Sequence, residues 1–286
     1  MSKNSTVLLV IFLAVFDAFV WWQIIFNAPQ KDKSDIYFLN VGQGDGELAV
    51  LDGNIKVLID GGPNNSVPGE LDKGLRSTDR YIDLVVLSHP QTDHFMGLVD
   101  VFKRYNVGAF IFSGRETENA SFKELENIIK RRNVQVVILE EGDRIKHLQE
   151  EFVVLAPDKN SLESSNVNDT TLVLQLISQK LKILFTGDAE GNIEKDLVAK
   201  YGNNLRSDIL KVAHHGSKYS SSDDFLRIID PKISVIEVGK NSYGHPTPET
   251  LSRLANVGSQ IFTTLQNGTV RVTLKDGKVY VFVRKK

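Results

Sequence analysis

The sequence predicts a layered α/β sandwich behind one membrane-spanning helix, and three observations carry that expectation. Short runs rich in Val, Ile and Leu alternate with amphipathic helical stretches from Asp35 onward. These runs fall in two groups with helices after each, which favours two stacked sheets over a single doubly wound one. No GxGxxG or GxxxxGK[ST] opens a helix, so the phosphate cradle of dinucleotide and P-loop folds is missing. The bulk composition agrees. In 286 residues, 41% are apolar and 24% charged, which excludes a disordered chain, a collagen-like repeat and a multi-span membrane protein. A net charge of −2 exerts no global pull on nucleic acid, so such binding must come from a local patch or from bound metal. With no cysteine, the chain has no disulfide, thiolate-bound zinc or cysteine nucleophile.

At the amino end, residues 7–26 read VLLVIFLAVFDAFVWWQIIF, broken only by Asp17 and Gln23. That run is long enough to cross a bilayer as a helix. A cleaved leader has a shorter apolar core of roughly 7–15 residues, so a retained anchor ending at Trp21 and Trp22 is expected. Lys3 precedes the run and Lys31 and Lys33 follow it, and this near balance sets no orientation. Residues 27–34 (NAPQKDKS) read as a polar linker, and 35–286 as one domain without internal repeats.

Within that domain the expected strands are 36–41, 46–52, 55–60 and 83–89, then 134–139, 152–157, 171–178, 182–188, 209–215, 233–239 and 259–264. A closing hairpin spans 269–284, with Asp276-Gly277 at its turn. Helices are expected at 95–105, 121–132, 189–201, 222–229 and 247–255. In the second of these, Phe122, Leu125, Ile128 and Ile129 fall at helical spacing behind a Ser121 to Glu124 capping-box pattern.

Chemistry concentrates at strand ends. Asp60 closes IKVLID, SHPQTDH (88–94) follows DLVVL, Asp188 closes KILFTGD, and His214 and His215 close ILKVAHH. A rigid sheet fixes the root of each such loop and aims its ligands at one place. Each residue also has an ordinary explanation: Asp60 as a turn-former before two glycines, Asp188 as a helix cap, His89 as part of a turn before Pro90. Together they are harder to dismiss. Five of the six histidines (His89, His94, His214, His215 and His245) lie in strand-end loops flanked by Gly or Pro, with only His147 elsewhere, which points to a shared metal-binding cleft.

The order LIDGG, SHPQTDH, NDTTLVLQL, FTGDAE, VAHHGS and YGHPTPETLSRL resembles the metallo-β-lactamase fold. Within that fold it is similar to the extracellular hydrolase domain of the ComEC family of competence proteins, which take up DNA. FLNVGQGD, HHGS and YGHP carry the likeness to that subgroup, and the match runs from Ile36 to the carboxyl end. The resemblance implies a four-layer αββα sandwich, up to two metal ions at the sheet edges, and hydrolysis of a phosphodiester.

Carried over residue by residue, the family motif H-x-[HD]-x-D-H falls on His89, Gln91, Asp93 and His94, with Gln91 where the fold has His or Asp. The third ligand would fall at Asn168-Asp169, and a first site of His89, Gln91 and Asp169 would be rich in oxygen and suit Mn²⁺ or Mg²⁺ better than Zn²⁺. The second would comprise Asp93, His94, a bridging Asp188 and a histidine of the next pair. His214 is the favoured ligand there, with His215 supporting it or touching substrate. Asp60 is expected to accept a hydrogen bond from a ligand histidine and fix its tautomer. Asp93 or Asp188 would take a proton from metal-activated water, and His245 would contact the phosphate or protonate the leaving oxygen. Ser217, Lys218 and the serines at 220–222 would donate to phosphate oxygens.

The expectation is therefore an anchored hydrolase holding one or two divalent ions (Zn²⁺ or Mn²⁺) and cutting single-stranded DNA outside the cytoplasmic membrane. A separate DNA-channel protein is a candidate partner. Two readings compete: a hydrolase of a phosphorylated envelope polymer or a lactone, and a non-catalytic, single-metal module that guides DNA.

Overall fold

The computed structural model describes residues 3–26, 33–76 and 78–283. α1 (Lys3–Phe26) contains the apolar run and is a candidate membrane span over Asn4–Gln23. Most of the expected linker lies outside the described residues, and Lys33 and Ser34 already belong to β1 (Lys33–Phe38).

The chain continues through β2 (Glu47–Val50), β3 (Lys56–Ile59), α2 (Val67–Gly74), β4 (Tyr81–Val86), α3 (Thr92–Arg104), β5 (Asn106–Phe112), α4 (Ala120–Arg131) and β6 (Gln135–Ile138). Then follow β7 (Arg144–His147), β8 (Glu150–Ala156), β9 (Val173–Ser178), β10 (Leu181–Phe185), α5 (Gly191–Tyr201), β11 (Ile209–Lys211), α6 (Asp223–Ile229), β12 (Ile233–Ile236), α7 (Pro248–Asn256) and β13 (Gln260–Thr263). A short α8 (Thr264–Asn267) leads into the hairpin of β14 (Val270–Lys275) and β15 (Lys278–Val283).

Two sheets result, in the orders β15-β14-β1-β2-β3-β4-β5-β6 and β13-β12-β11-β10-β9-β8-β7. β3 to β6 run parallel, as do β10 to β13, so each sheet delivers several carboxyl ends to one edge. Period-2 alternation sorts the side chains into layers. In β3, Leu58 joins an outer core with Phe95, Leu98 and Phe122 of α3 and α4, while Val57 and Ile59 face the other sheet. In β11, Leu210 packs outward with residues of α5 and α6, and Ile209 faces inward. This is the expected helix-sheet-sheet-helix sandwich.

Four of these elements were not expected: α2, β5, β7 and the one-turn α8. β5 follows α3 without Gly or Pro between them, so no punctuation marks the change of period. β7 is a short edge strand, RIKH, with no apolar run, and α2 carries Pro68, Gly69 and Gly74, which read as loop. The cap of α4 is Asn119, whose side chain accepts from the Ser121 amide, rather than Ser121 itself.

The layer between the sheets ends in charge. Glu47, Lys211 and Glu237, all buried, take inward positions where the alternation calls for apolar residues. Burial, with the Asp45 charge adding to it, pushes the Glu47 carboxyl from 4.5 up to about 8. Burial also raises Glu237, with Glu47 adding to it. A proton held in the folded chain and released on unfolding makes stability fall as pH rises through the window from 4.5 to about 8. Glu47→Gln should flatten that fall, so the variant's Tm is expected to drop less than that of the wild type between about pH 5 and pH 9. Equal slopes in the two melting series would contradict this origin.

Candidate metal centre

Four strand ends meet at one edge of the sandwich. Asp60 follows β3 in the left-handed region, at φ 56°, and His89 follows β4 through Leu87 and Ser88. Asp93 and His94 occupy the first turn of α3, Asp188 follows β10, and His214 and His215 follow β11. α3 reaches this edge by backbone contact. A Cβ on Gly97 would lie 1.9 Å from the Gly61 carbonyl oxygen, so only glycine allows the approach that lets Gly61 N donate to His94 O at 2.6 Å.

Asp60 organises the first histidines. Its Oδ1 accepts from Ser88 N at 2.7 Å and its Oδ2 from Ser88 Oγ at 2.6 Å. The same Oδ2 lies 2.7 Å from His94 Nδ1. Nδ1 therefore carries a proton, and Nε2 faces Asp188 Oδ2, 3.4 Å away. His215 follows the same logic: its Nδ1 donates to Glu237 O at 2.9 Å, and its Nε2 sits 3.3 Å from Asp93 Oδ2 and 3.9 Å from Asp188 Oδ2. Asp93, His94, Asp188 and His215 thus each offer a ligand atom within 4.8 Å of the others. The His89 ring lies 4.1 Å from that of His94.

These groups fit a cation. His89 Nε2, His94 Nε2 and both Asp188 oxygens are buried without a hydrogen-bond partner among the described residues. Leaving a buried carboxylate uncompensated is far costlier than leaving a neutral polar group so. Mixed imidazole and carboxylate donors suit Zn²⁺ and Mn²⁺ alike. Burial alone would raise the Asp188 carboxyl, but the His94 and His215 charges hold it well below the usual range. Burial opposes charge on the histidines too, yet Asp188 with Asp60 and Asp45 keeps His94 well above its ordinary value. Asp188 and Asp45 likewise bring His215 up to about 10. Burial, then His94, pushes His89 down to about 3, which leaves it neutral with a free lone pair.

The other expected residues divide. Gln91 Nε2 donates to Asn168 Oδ1 at 2.6 Å, beside His89. Asp169, the expected third ligand, is turned away: Ser164 Oγ and Asn192 Nδ2 donate to its carboxylate at 2.6 and 2.7 Å. Successive side chains in the short 3₁₀ turn Val167–Thr170 point in different directions, and Asn168 takes the one toward the cleft. Both histidines of the pair approach Asp188 Oδ2, at 3.8 and 3.9 Å, and His215 also meets Asp93. His215 joins the cluster, while His214 is a quarter exposed, with Nδ1 3.0 Å from Glu190 Oε1 and Nε2 3.8 Å from Asp188 Oδ2. Both have positive φ, which sets their rings at 75° to one another.

His245 lines the cleft mouth, its ring 5.7 Å from that of His214. Ser217 is buried with Oγ accepting from Tyr219 N, so it does not face the cleft. Ser220 Oγ donates to Ala213 O, and the amides of Ser221 and Ser222 donate to Glu194. These serines brace the loop. Lys218 is exposed, with Nζ 5.1 Å from the Tyr219 ring. Residues not singled out from the sequence are Asp45, Glu47, Lys211 and Glu237 behind the histidines, and Tyr243 at the mouth. Glu47 and Lys211 were detectable as charges at inward strand positions; Asp45, in a turn, carried no such signal.

The fold and this constellation define the class. The profile of the metallo-beta-lactamase superfamily matches residues 48–239, and the chain belongs to that superfamily. It is 28% identical over 213 residues to ComE operon protein 3 of Bacillus subtilis (strain 168), covering 73% of this chain and 26% of that protein. It is 30% identical over 259 residues to competence protein ComA of Neisseria gonorrhoeae, covering 88% of this chain and 34% of that one. The chain thus spans about a third or less of these relatives, which bear out the likeness to the ComEC competence family. Among solved structures it is similar to the metallo-beta-lactamase fold protein YhfI from Bacillus subtilis, with TM-score 0.56, 11% identity, and coverage of 88% of this chain and 100% of that one.

Removing the Asp188 carboxylate tests the centre. Asp188→Asn should weaken binding of Zn²⁺ by more than the ~10–100-fold typical of changes behind a metal ligand, measured by chelator competition. Unchanged affinity would mean that Asp188 holds no metal.

Proposed function

We propose that the chain is a membrane-anchored, metal-dependent phosphodiesterase that cuts single-stranded DNA during DNA uptake. The observation that carries this reading is the Asp93, His94, Asp188 and His215 cluster, of which Asp93 and His215 line a cleft, with its Nε2 atoms turned toward Asp188 and Asp93. The competence relatives support the substrate, and α1 supports the anchor. The domain would work outside the cytoplasmic membrane, beside a separate DNA-channel protein.

Asp93, His94, Asp188 and His215 would hold one or two divalent cations of the Zn²⁺ or Mn²⁺ kind, which would supply water activation and neutralisation of charge at phosphorus. The chain's own groups then divide the work. Asp93 keeps 32% of its side chain exposed to the cleft. Burial would raise its carboxyl, but the hydrogen bond to His215 and the charge of His94 hold it down, so it is ionised and placed to accept a proton from water. Burial followed by His214 lowers His245, which favours a neutral imidazole donating one N–H to a phosphate oxygen over protonation of the leaving group.

The cleft mouth favours a nucleic acid over an envelope polymer. Tyr243 lines it with its side chain 73% exposed and its ring 5.8 Å from that of His245. Its loop is pinned by Asn241, whose Nδ2 donates to Gly239 O and His245 O and whose Oδ1 accepts from the amides of Tyr243 and His245. An exposed ring on a rigid loop is a platform for stacking a base. One observation favours the accessory reading instead. The Gln91–Asn168 amide pair puts two neutral groups beside His89, where a second cation would need charged ligands.

Metal analysis of the full chain in detergent, followed by digestion of a single-stranded oligonucleotide with Zn²⁺ or Mn²⁺, separates these readings. Cleavage that chelation abolishes is expected. One bound metal with no cleavage of any phosphodiester, and cleavage gained only in Gln91→Asp, would establish the accessory role. Tyr243→Ala should lower kcat/KM on single-stranded DNA about tenfold, with Tyr243→Phe retaining it; no change in Tyr243→Ala would remove the stacking platform.

A further inference from the structure

The turn at residues 42–45 packs behind the metal centre and touches both halves of the site. A Cβ on Gly44 would lie 2.2 Å from Asp93 O, so glycine is required for that contact, and Asp45 N donates to the same oxygen at 3.2 Å. Across the turn, Gln43 Oε1 accepts from Gly239 N at 3.2 Å, beyond the end of β12. The Asp45 side chain is fully buried, and its two oxygens are used differently. Oδ2 pairs with the ammonium of Lys211, while Oδ1 accepts no hydrogen bond among the described residues and lies 3.2 Å from His215 Nδ1, which donates to Glu237 O. Oδ2 is also 3.6 Å from His94 Nδ1. One carboxylate thus stands behind two imidazoles, on the side away from the Nε2 atoms that face Asp188.

Lys211 explains how that carboxylate is held. It follows Ile209 on the inward face of β11 and is fully buried. An ammonium there needs a partner, because the penalty for burying a lone charge is several kcal/mol. Nζ pairs with Asp45 and donates to Gly187 O at 3.1 Å, next to the residue that carries the bridging carboxylate.

We propose that Asp45, braced by Lys211, is a positioning residue of the metal centre: its charge backs the His94 and His215 rings, whose Nδ1 hydrogen bonds go to Asp60 and the Glu237 carbonyl, and its turn ties Asp93 to the β10 and β11 strand ends. The inference rests on the metal centre and is independent of which substrate is cut. The competing role is that Asp45 serves only as the counter-ion of Lys211.

The two roles part in a double variant. Asp45→Asn alone leaves Lys211 buried and unpaired, so its folding is compromised for reasons unrelated to metal. Asp45→Asn combined with Lys211→Met removes both charges, and the Tm should return close to that of the wild type. The full chain in detergent would be titrated with Zn²⁺ against a chromophoric chelator for the wild type, Lys211→Met and the double variant. Relative to Lys211→Met, the double variant is expected to bind Zn²⁺ about 10–100-fold more weakly, and its Co²⁺-loaded form should show a shifted visible spectrum. Equal affinity and an unchanged Co²⁺ spectrum in those two variants would overturn the proposal while leaving the metal centre intact. A wild-type chain that binds no Zn²⁺ would overturn the centre itself, and a double variant that does not fold would show that the turn is needed beyond its charge and so refute the positioning role as stated.

Discussion

Asp188 follows β10, buried with neither oxygen hydrogen-bonded to a described residue, and balancing that buried charge organises everything near it. Two imidazoles point their Nε2 atoms toward it, and each is fixed from behind by a group that accepts a hydrogen bond from its Nδ1: Asp60 for His94, and the Glu237 carbonyl for His215. The protein contributes pre-oriented imidazole Nε2 atoms and carboxylates, all buried except Asp93. Such an arrangement is costly without a cation and favourable with one.

The sandwich makes this arrangement rigid. Parallel strands in both sheets end at one edge, so loops far apart in sequence are rooted on fixed supports. Local strain is present there as well. Asp60, His214 and His215 all lie at positive φ, a conformation that disfavours side chains and persists where surrounding contacts over-determine it. The charged end of the inter-sheet layer belongs to the same design, since Asp45 and Lys211 link the ligand strands through a pair that solvent does not reach.

Much of this was legible in the sequence, because strand periodicity and the residues closing each strand are local signals. The Asp60, His89, Asp93, His94 and Asp188 positions could be read as one cleft for that reason. What was not legible depends on geometry. The choice between His214 and His215 turns on two left-handed residues, and the choice between Asn168 and Asp169 on the direction of a 3₁₀ turn. The Asp45–Lys211 pair joins residues 166 apart in the chain, and no spacing rule links them. β5 and β7 were hidden by missing punctuation and by edge polarity respectively.

The account stands or falls on whether a divalent cation occupies the space between these four side chains. Anomalous diffraction from crystals of the chain grown with Zn²⁺ or Mn²⁺ measures this most directly. A peak bonded to His94 Nε2 and the Asp188 carboxylate, with Asp93 and His215 completing the set, is the predicted result. Crystals that show no anomalous peak there, or one held only by surface groups, would contradict it.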